Sequence, residues 1–447
     1  MYDVVVRGGT VVTADRVTAA DLGIRDGRIA AVATPETLGA GHRVIDARGK
    51  HVLPGLVDAH VHLREPGFTH KEDTASGTRA AAAGGVTTVM AIPNTDPPLV
   101  TPEALRDAAR LASRAAVVDV AFFAGVCMAD PARAVDAAGS GAVGYDLVDD
   151  PYACGSEAWI ELLSRVRATG LPLAFYLNDA AMQGCLGRAL AERGAAPADR
   201  FAGMTTGATE MAAIARIVPL AAQFDVPVVL RAVTTPAGLA FVRALRRAMP
   251  EARVTVEMCV PHLFLTRETM TETGNRALLI PPPRPRAELD ALWQAVRDGA
   301  VDYLASDHAP HAHAEKSDAR PFLGPPGIMG LETALPLLLT ACAEGRLTLS
   351  ALVRLCCEQP ARTYGLFPRK GTIAPGADAD LVVVDLGTRW QIDAGRFYSR
   401  GDRGPFDGRE VRGRPALTMV RGRTVMSDGA VDPAPRGLVI ARDAAPR

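Results

Sequence analysis

The stretch P-G-L-V-D-A-H-V-H-L-R-E-P-G, residues 54–67, decides how the rest of the chain is read. It continues an apolar run, 52–57, with the length and composition of a buried strand. Side chains alternate between the two faces of an extended strand. His60 and His62 therefore project to the same side, and both imidazoles can reach one metal ion. A buried strand that ends in metal-binding chemistry is expected at the rim of a parallel β/α barrel, where catalytic groups sit at the C-terminal strand ends.

Apolar runs of strand length recur along the chain at 56–63, 86–93, 117–126, 142–148, 171–177, 226–234, 254–259 and 302–306. They alternate with stretches rich in Ala, Leu, Arg and Glu that carry a helical period. Eight such units predict an α/β fold, a (β/α)8 TIM barrel, with His60, His62, Asn94 and Asp307 at its mouth. Residues 2–53 instead give short apolar runs broken by Gly and Asp turns, and 367–426 do the same at 371–373, 380–384 and 417–420. These two ends are predicted to form one small β-sandwich domain. The expected division is 1–53 and 367–447 for that domain and 54–366 for the barrel.

Composition narrows the class. A chain of 447 residues with 48% hydrophobic content can bury a large core, and a net charge of -1 leaves no basic face for nucleic acid and no acidic tail. The first nine residues lack a charged-then-apolar signal pattern, and no stretch approaches the roughly 18 apolar residues that span a bilayer, so a cytoplasmic protein without membrane partners is expected. Seven cysteines with no C-x-x-C read as buried free thiols. Only four lysines occur, and none lies between Lys71 and Lys316.

Several longer motifs carry a family resemblance. They are the 54–67 stretch, A-A-A-G-G-V-T-T-V (81–89), I-P-N-T (92–95), S-D-H-A-P-H (306–311), G-L-E-T (330–333) and K-G-T-I-A-P-G-A-D-A-D-L (370–381). Together they resemble the amidohydrolase superfamily, and within it the cyclic-amide group of dihydroorotases, allantoinases and hydantoinases. H-L-R-E-P-G with I-P-N-T is most similar to dihydroorotase. That resemblance implies zinc-dependent, reversible opening of a six-membered ring between dihydroorotate and N-carbamoylaspartate, and a homo-oligomer.

Carried over residue by residue, the resemblance implies metal ligands at His60, His62 and Asp307, with Asp307 also the catalytic proton shuttle. It implies substrate-carboxylate contacts at Arg64, Asn94 and His311, whose guanidinium, carboxamide and imidazole suit a carboxylate. The remainder departs from the pattern. The fifth-strand histidine position holds Tyr176, the sixth-strand one aligns with Ala232 beside Arg231, and the N-P-P after strand seven reads I-P-P-P with Ile280 first. The bridging ligand on strand four cannot be a carboxylated lysine; its position reads Asp146, with Asp149 and Asp150 as alternatives. All losses fall on the second of two ions, so a mononuclear zinc site is expected.

Blander readings stand beside each of these. Asp146 can cap a helix, and Arg64 can pair with Glu65 or Glu332. Tyr176 can be a packed barrel residue or, with Arg231 and Ile280, part of the pocket; Arg231 reads best as a salt-bridge residue. Cys259, His262, His42, His51 and His70 read as structural, His308 as packed or as orienting Asp307, and Glu332 as holding the barrel end together. Two functions compete with a hydrolase of a carboxylated cyclic amide or ureide. One is an inactive homologue acting as a structural subunit, for instance with aspartate transcarbamoylase; the other is a biosynthetic cyclase with a changed substrate.

Overall fold

The computed structural model describes residues 1–150, 152–317 and 322–443. Eight strands, Leu56–Val61, Val86–Ala91, Asp119–Val126, Gly144–Leu147, Leu173–Tyr176, Val228–Arg231, Val254–Cys259 and Tyr303–Ala305, form one parallel sheet in chain order. The sheet closes where His62 N donates to His308 O at 2.8 Å. Every one of the eight apolar runs contains a strand, and most strands are shorter than their runs, with residues at the run ends leaving the ladder as loop.

Alternation sorts each strand into two layers. Val89, Val120, Phe122, Phe175 and Leu230 face outward and pack in the large core that also takes in Ala80, Trp159, Leu162 and Leu338 from the surrounding helices. Val57, Met90, Ala121, Phe123, Ala174 and Val229 face inward, and Tyr364, Leu366 and Ile440 pack with them. Burying each large apolar side chain contributes about 1.5–3 kcal/mol. The inward row then changes character: two residues beyond Ala174 and Val229 come Tyr176 and Arg231, and the polar upper layer begins.

The chain ends build a separate nine-stranded, mostly antiparallel sheet. Tyr2–Val12 pairs with Val17–Arg25 on one edge and with Gly41–Asp46 and His51–Pro54 on the other, and Leu381–Gln391 joins His51–Pro54 to Glu410–Val420. Its core gathers Val4, Leu22, Ile24 and Val52 with Leu381, Val383 and Met419, so neither end has a core without the other. Residues 371–373, expected as strand, are not one. Lys370 is buried there between Asp119 (2.6 Å), Asp378 (3.0 Å) and Asp380 (2.6 Å). Gly371 follows at φ 82°, where a Cβ would meet Cys357 O at 2.4 Å, so the chain bends to seat the lysine.

Beyond this sheet, Gly437–Ile440 runs along the third barrel strand, with Val120 N donating to Leu438 O at 2.9 Å. All seven cysteines are free, but only Cys259, Cys356 and Cys357 are buried; Cys185 is exposed, because it lies on a helix with little buried surface, which corrects the expectation of buried thiols throughout. Among the described residues no helix is long and apolar enough to cross a membrane.

Candidate active site

The first barrel strand changes register against its neighbour between Asp58 and Val61, the stretch that carries His60. Both imidazoles turn into the barrel mouth. His60 Nε2 lies 3.3 Å and His62 Nε2 3.5 Å from the same atom, Asp307 Oδ1. The far nitrogen of each ring is held: His60 Nδ1 by Glu257 Oε1 at 2.7 Å, and His62 Nδ1 by Asn94 Oδ1 at 2.9 Å. An acceptor on each Nδ1 fixes the tautomer that leaves Nε2 with its lone pair, as metal-binding histidines require. Arg64 and Asp307, at the ends of strands one and eight, adopt φ of 62° and 49°, left-handed backbone that is uncommon for non-glycine residues.

Electrostatics follows from burial. Burial disfavours charge on His60, but Glu257 and Asp307 outweigh it and raise its pKa. His62, buried and facing Arg64, is pushed down to about 4 and is neutral at physiological pH. Asp307 is lowered in spite of burial because His60 and His62 favour its ionised form. Burial raises Tyr176 well above the usual phenol range.

Asp146, expected as a fourth ligand, lies apart from the trio. Its Oδ2 is 2.5 Å from Arg231 Nε. Arg231 is fully buried, places Nη1 2.7 Å from Glu257 Oε2, and stacks its guanidinium 4.7 Å from the centre of the Phe123 ring. The salt-bridge reading of Arg231 thus describes what it does. Arg231 lies beneath the cavity and does not line it, because its guanidinium is drawn down between the two carboxylates and over Phe123.

Above this layer opens a cavity of ≈ 470 Å³ lined by His62, Arg64, Asn94, Asp146, Tyr176, Ile280, Asp307 and His311, with Asp149 and Asp150 on its rim. The Tyr176 hydroxyl is 2.5 Å from His60 Nε2. Arg64 Nη2 and His311 Nε2 are 3.2 Å apart. Arg64 reaches neither Glu65 nor Glu332; its Nε donates to Pro310 O at 3.3 Å. Burial, with Arg64 and Lys71 nearby, lowers His311 to about 3. A neutral imidazole beside a guanidinium is a suitable wall for a carboxylate.

Glu257 escaped the sequence reading. A carboxylate at an inward position of the apolar strand V-T-V-E-M-C was the available signal, since a buried acid requires a partner. His308 belongs to the scaffold: its Nδ1 accepts from Gly330 N (3.1 Å) and Leu331 N (3.3 Å), and its Nε2 meets Glu72 Oε2 at 3.2 Å. His262 is likewise structural, with Nε2 2.7 Å from Pro281 O.

The donors of His60, His62 and Asp307 lie within 4.8 Å of one another, and two imidazoles with one carboxylate are an accepted set for an open divalent-metal site. Among the described residues no second grouping of two imidazoles and a carboxylate lies beside it. Tyr176 and Ala232 stand where the imidazoles of a second ion are expected, and Asp146 is taken by Arg231.

The pattern of the amidohydrolase family matches residues 51–425. The chain is 36% identical to a dihydroorotase of Halobacterium salinarum over 395 residues, covering 88% of this chain and 90% of that one. It is 35% identical to an allantoinase of Rubrobacter xylanophilus over 444 residues, covering 98% and 97%. Among solved structures, the L-hydantoinase (dihydropyrimidinase) from Arthrobacter aurescens shares its backbone with a TM-score of 0.94 at 30% identity, covering 99% of this chain and all of that one. A pattern that runs through barrel and sheet alike, in relatives similar over nearly their full length, places the chain in the amidohydrolase family.

Proposed function

We propose that this protein opens or closes the C–N bond of a small cyclic amide or ureide bearing a carboxylate, of the dihydroorotate type, at a single Zn²⁺ held by His60, His62 and Asp307. One observation carries the reading: three metal donors converge at a cavity that Arg64, Asn94 and His311 also line. An ion in that position supplies Lewis acidity towards the amide carbonyl and the attacking water.

The chain's own groups supply the rest. Arg64 and His311 bind the carboxylate together with Asn94, which lines the cavity and is anchored through Oδ1 to His62. This fixes the ring relative to Asp307 before reaction. Asp307, kept ionised, accepts the proton of the attacking water and delivers it to the ring nitrogen as the bond breaks. Tyr176 keeps its proton, and its hydroxyl can turn from His60 to donate to the carbonyl oxygen as negative charge develops there. Ile280, 38% exposed on the cavity rim, offers an apolar contact to the ring face.

The test is turnover of a panel of dihydroorotate, N-carbamoylaspartate, allantoin and substituted hydantoins by zinc-loaded protein, before and after chelation. Turnover of a carboxylated member that chelation abolishes and zinc restores supports the reading. Metal-free protein that turns over nothing and co-purifies with a transcarbamoylase would replace it with a scaffold role.

A further inference from the structure

The polar layer beneath the cavity carries a positive charge that the proposed chemistry does not use. Arg231 is fully buried, on a strand whose preceding inward residue is Val229. Its contacts are Asp146 on Nε, Glu257 and Ala59 O on Nη1, and the Phe123 ring. Glu257 is held from other directions as well, whereas Asp146 faces the cavity. Glu257 reaches His60 through Oε1 and Tyr303 through Oε2 (2.8 Å), and Asp146 lines the cavity floor.

Charge decides how many cations this layer accepts. Asp146, Glu257 and Asp307 lie within ion-pairing distance of the His60 and His62 rings or the Arg231 guanidinium. Asp58 is buried behind them and accepts from the backbone of His60 and Ser306, and Arg64 lines the cavity beside His62 and Asp307. These four carboxylates against the two guanidiniums of Arg231 and Arg64 leave two negative charges when the imidazoles are neutral. One divalent ion neutralises that remainder. A second would leave two uncompensated positive charges against a largely buried layer, where unpaired charge is costly. Geometry agrees. The other buried donor grouping near the mouth, His60, Glu257 and Cys259, has Glu257 already bound on both oxygens.

We infer that Arg231 is a built-in cation that stands in for a second metal ion: it withholds Asp146 from ligation and limits the site to one ion. This deepens the single-ion reading above and rests on it. Asp146 is then a counter-ion of Arg231, and Arg231 is a positioning residue acting through Asp146 and Glu257.

The experiment measures metal content and affinity of full-length protein, independent of turnover. Stripped protein is reloaded with excess Zn²⁺, freed of unbound metal, and its zinc counted by mass spectrometry; Kd is read by competition with a chromophoric chelator. The wild type should hold one ion. Asp146→Asn should hold one ion with Kd within about threefold of wild type, whereas Asp307→Asn should weaken it by about 100-fold or more. Arg231→Gln should exceed one ion per chain, and adding Asp146→Asn should return it to one.

Weakening of tenfold or more in Asp146→Asn makes Asp146 a ligand and overturns the inference, while leaving the metal site itself in place. So does a wild type that binds two ions, or a folded Arg231→Gln that stays at one. A wild type that binds no zinc overturns the proposed function together with the inference. If Arg231→Gln does not fold, the Asp146→Asn affinity alone decides.

Discussion

His60 Nδ1 and Glu257 Oε1 lie 2.7 Å apart with both side chains fully buried, on strands one and seven of the barrel. The same carboxylate holds Arg231 with its second oxygen at 2.7 Å. Glu257 therefore serves two masters: it fixes the His60 tautomer and neutralises a buried cation. Glu257→Gln keeps the shape but can satisfy only one of them. We expect zinc affinity to fall by about 10- to 100-fold, as for other outer partners of metal-binding histidines. Stability should fall by about 3 kcal/mol or more, because Arg231 loses a buried countercharge. Chelator competition and urea unfolding read the two effects, and wild-type affinity in a folded variant would remove Glu257 from the site.

Tyr176 offers a cleaner separation of roles. Its hydroxyl touches His60 and its ring lines the cavity, so Tyr176→Phe removes one donor and little packing. A donor used mainly in the transition state should lower kcat by about 10²–10³-fold with KM nearly unchanged. Unaltered kcat would mark the hydroxyl as a structural contact only.

Arg64 should behave in the opposite way. Arg64→Lys keeps the charge but loses the planar fork beside His311, and Arg64→Met loses both. For a carboxylated substrate, kcat/KM should fall in both, more in the Met variant, by about 2–4 kcal/mol of lost binding. A substrate analogue lacking the carboxylate should be nearly indifferent to either change. Equal losses on both compounds would place Arg64 outside the carboxylate contact.

The barrel was legible because each strand is an apolar run that a parallel sheet buries on both faces, and the mouth because His60, His62 and Asp307 end such runs. What stayed hidden were partnerships across the barrel. Arg231 and Asp146 are 85 residues apart, and His60 and Glu257 are 197 apart, so nothing local in the sequence ties either pair together. The pairs form because inward positions on alternate strands of the barrel meet in one buried layer, and that depends on register. Residues 371–373 misled for a related reason: the run is short and apolar like a strand, but its local structure is set by the need to bury Lys370 against Asp119 from far upstream.

That buried lysine is a polar joint between barrel and sheet domain. Lys370 contacts Asp119, which opens the third barrel strand, and Asp380, which precedes the strand linking the two chain ends. Arg421 also pairs with Asp119. Lys370→Met leaves Asp380 with no cation within ion-pairing distance among the described residues. Losing one partner of a buried pair costs about 3–5 kcal/mol. The deficit in urea unfolding should be largest at neutral pH and shrink as acid protonates the orphaned carboxylate. A deficit below about 1 kcal/mol at pH 7 would show that the aspartates relax to solvent.

Glu332 gives stability a pH dependence of the opposite sense. It sits in the first turn of the helix Leu331–Ala343, and its carboxyl oxygens accept from Tyr398 N (3.0 Å) and Ser399 N (3.3 Å) in the loop that leaves the sheet domain. Burial, with Glu72 nearby, raises its pKa to about 8. An unfolded glutamate titrates near 4.3. The folded state thus favours the protonated form, its contribution is complete below about pH 4, and it is lost as pH rises towards 8, with a plateau beyond. Over that window the wild type should lose on the order of a few kcal/mol from this group. Glu332→Gln mimics the protonated carboxyl and should not decline, so the two melting curves should nearly coincide at pH 5 and separate at pH 8.5, with the variant the more stable. Parallel melting profiles from pH 5 to 9 would mean that the loop at Tyr398 moves to let water reach the ionised carboxylate.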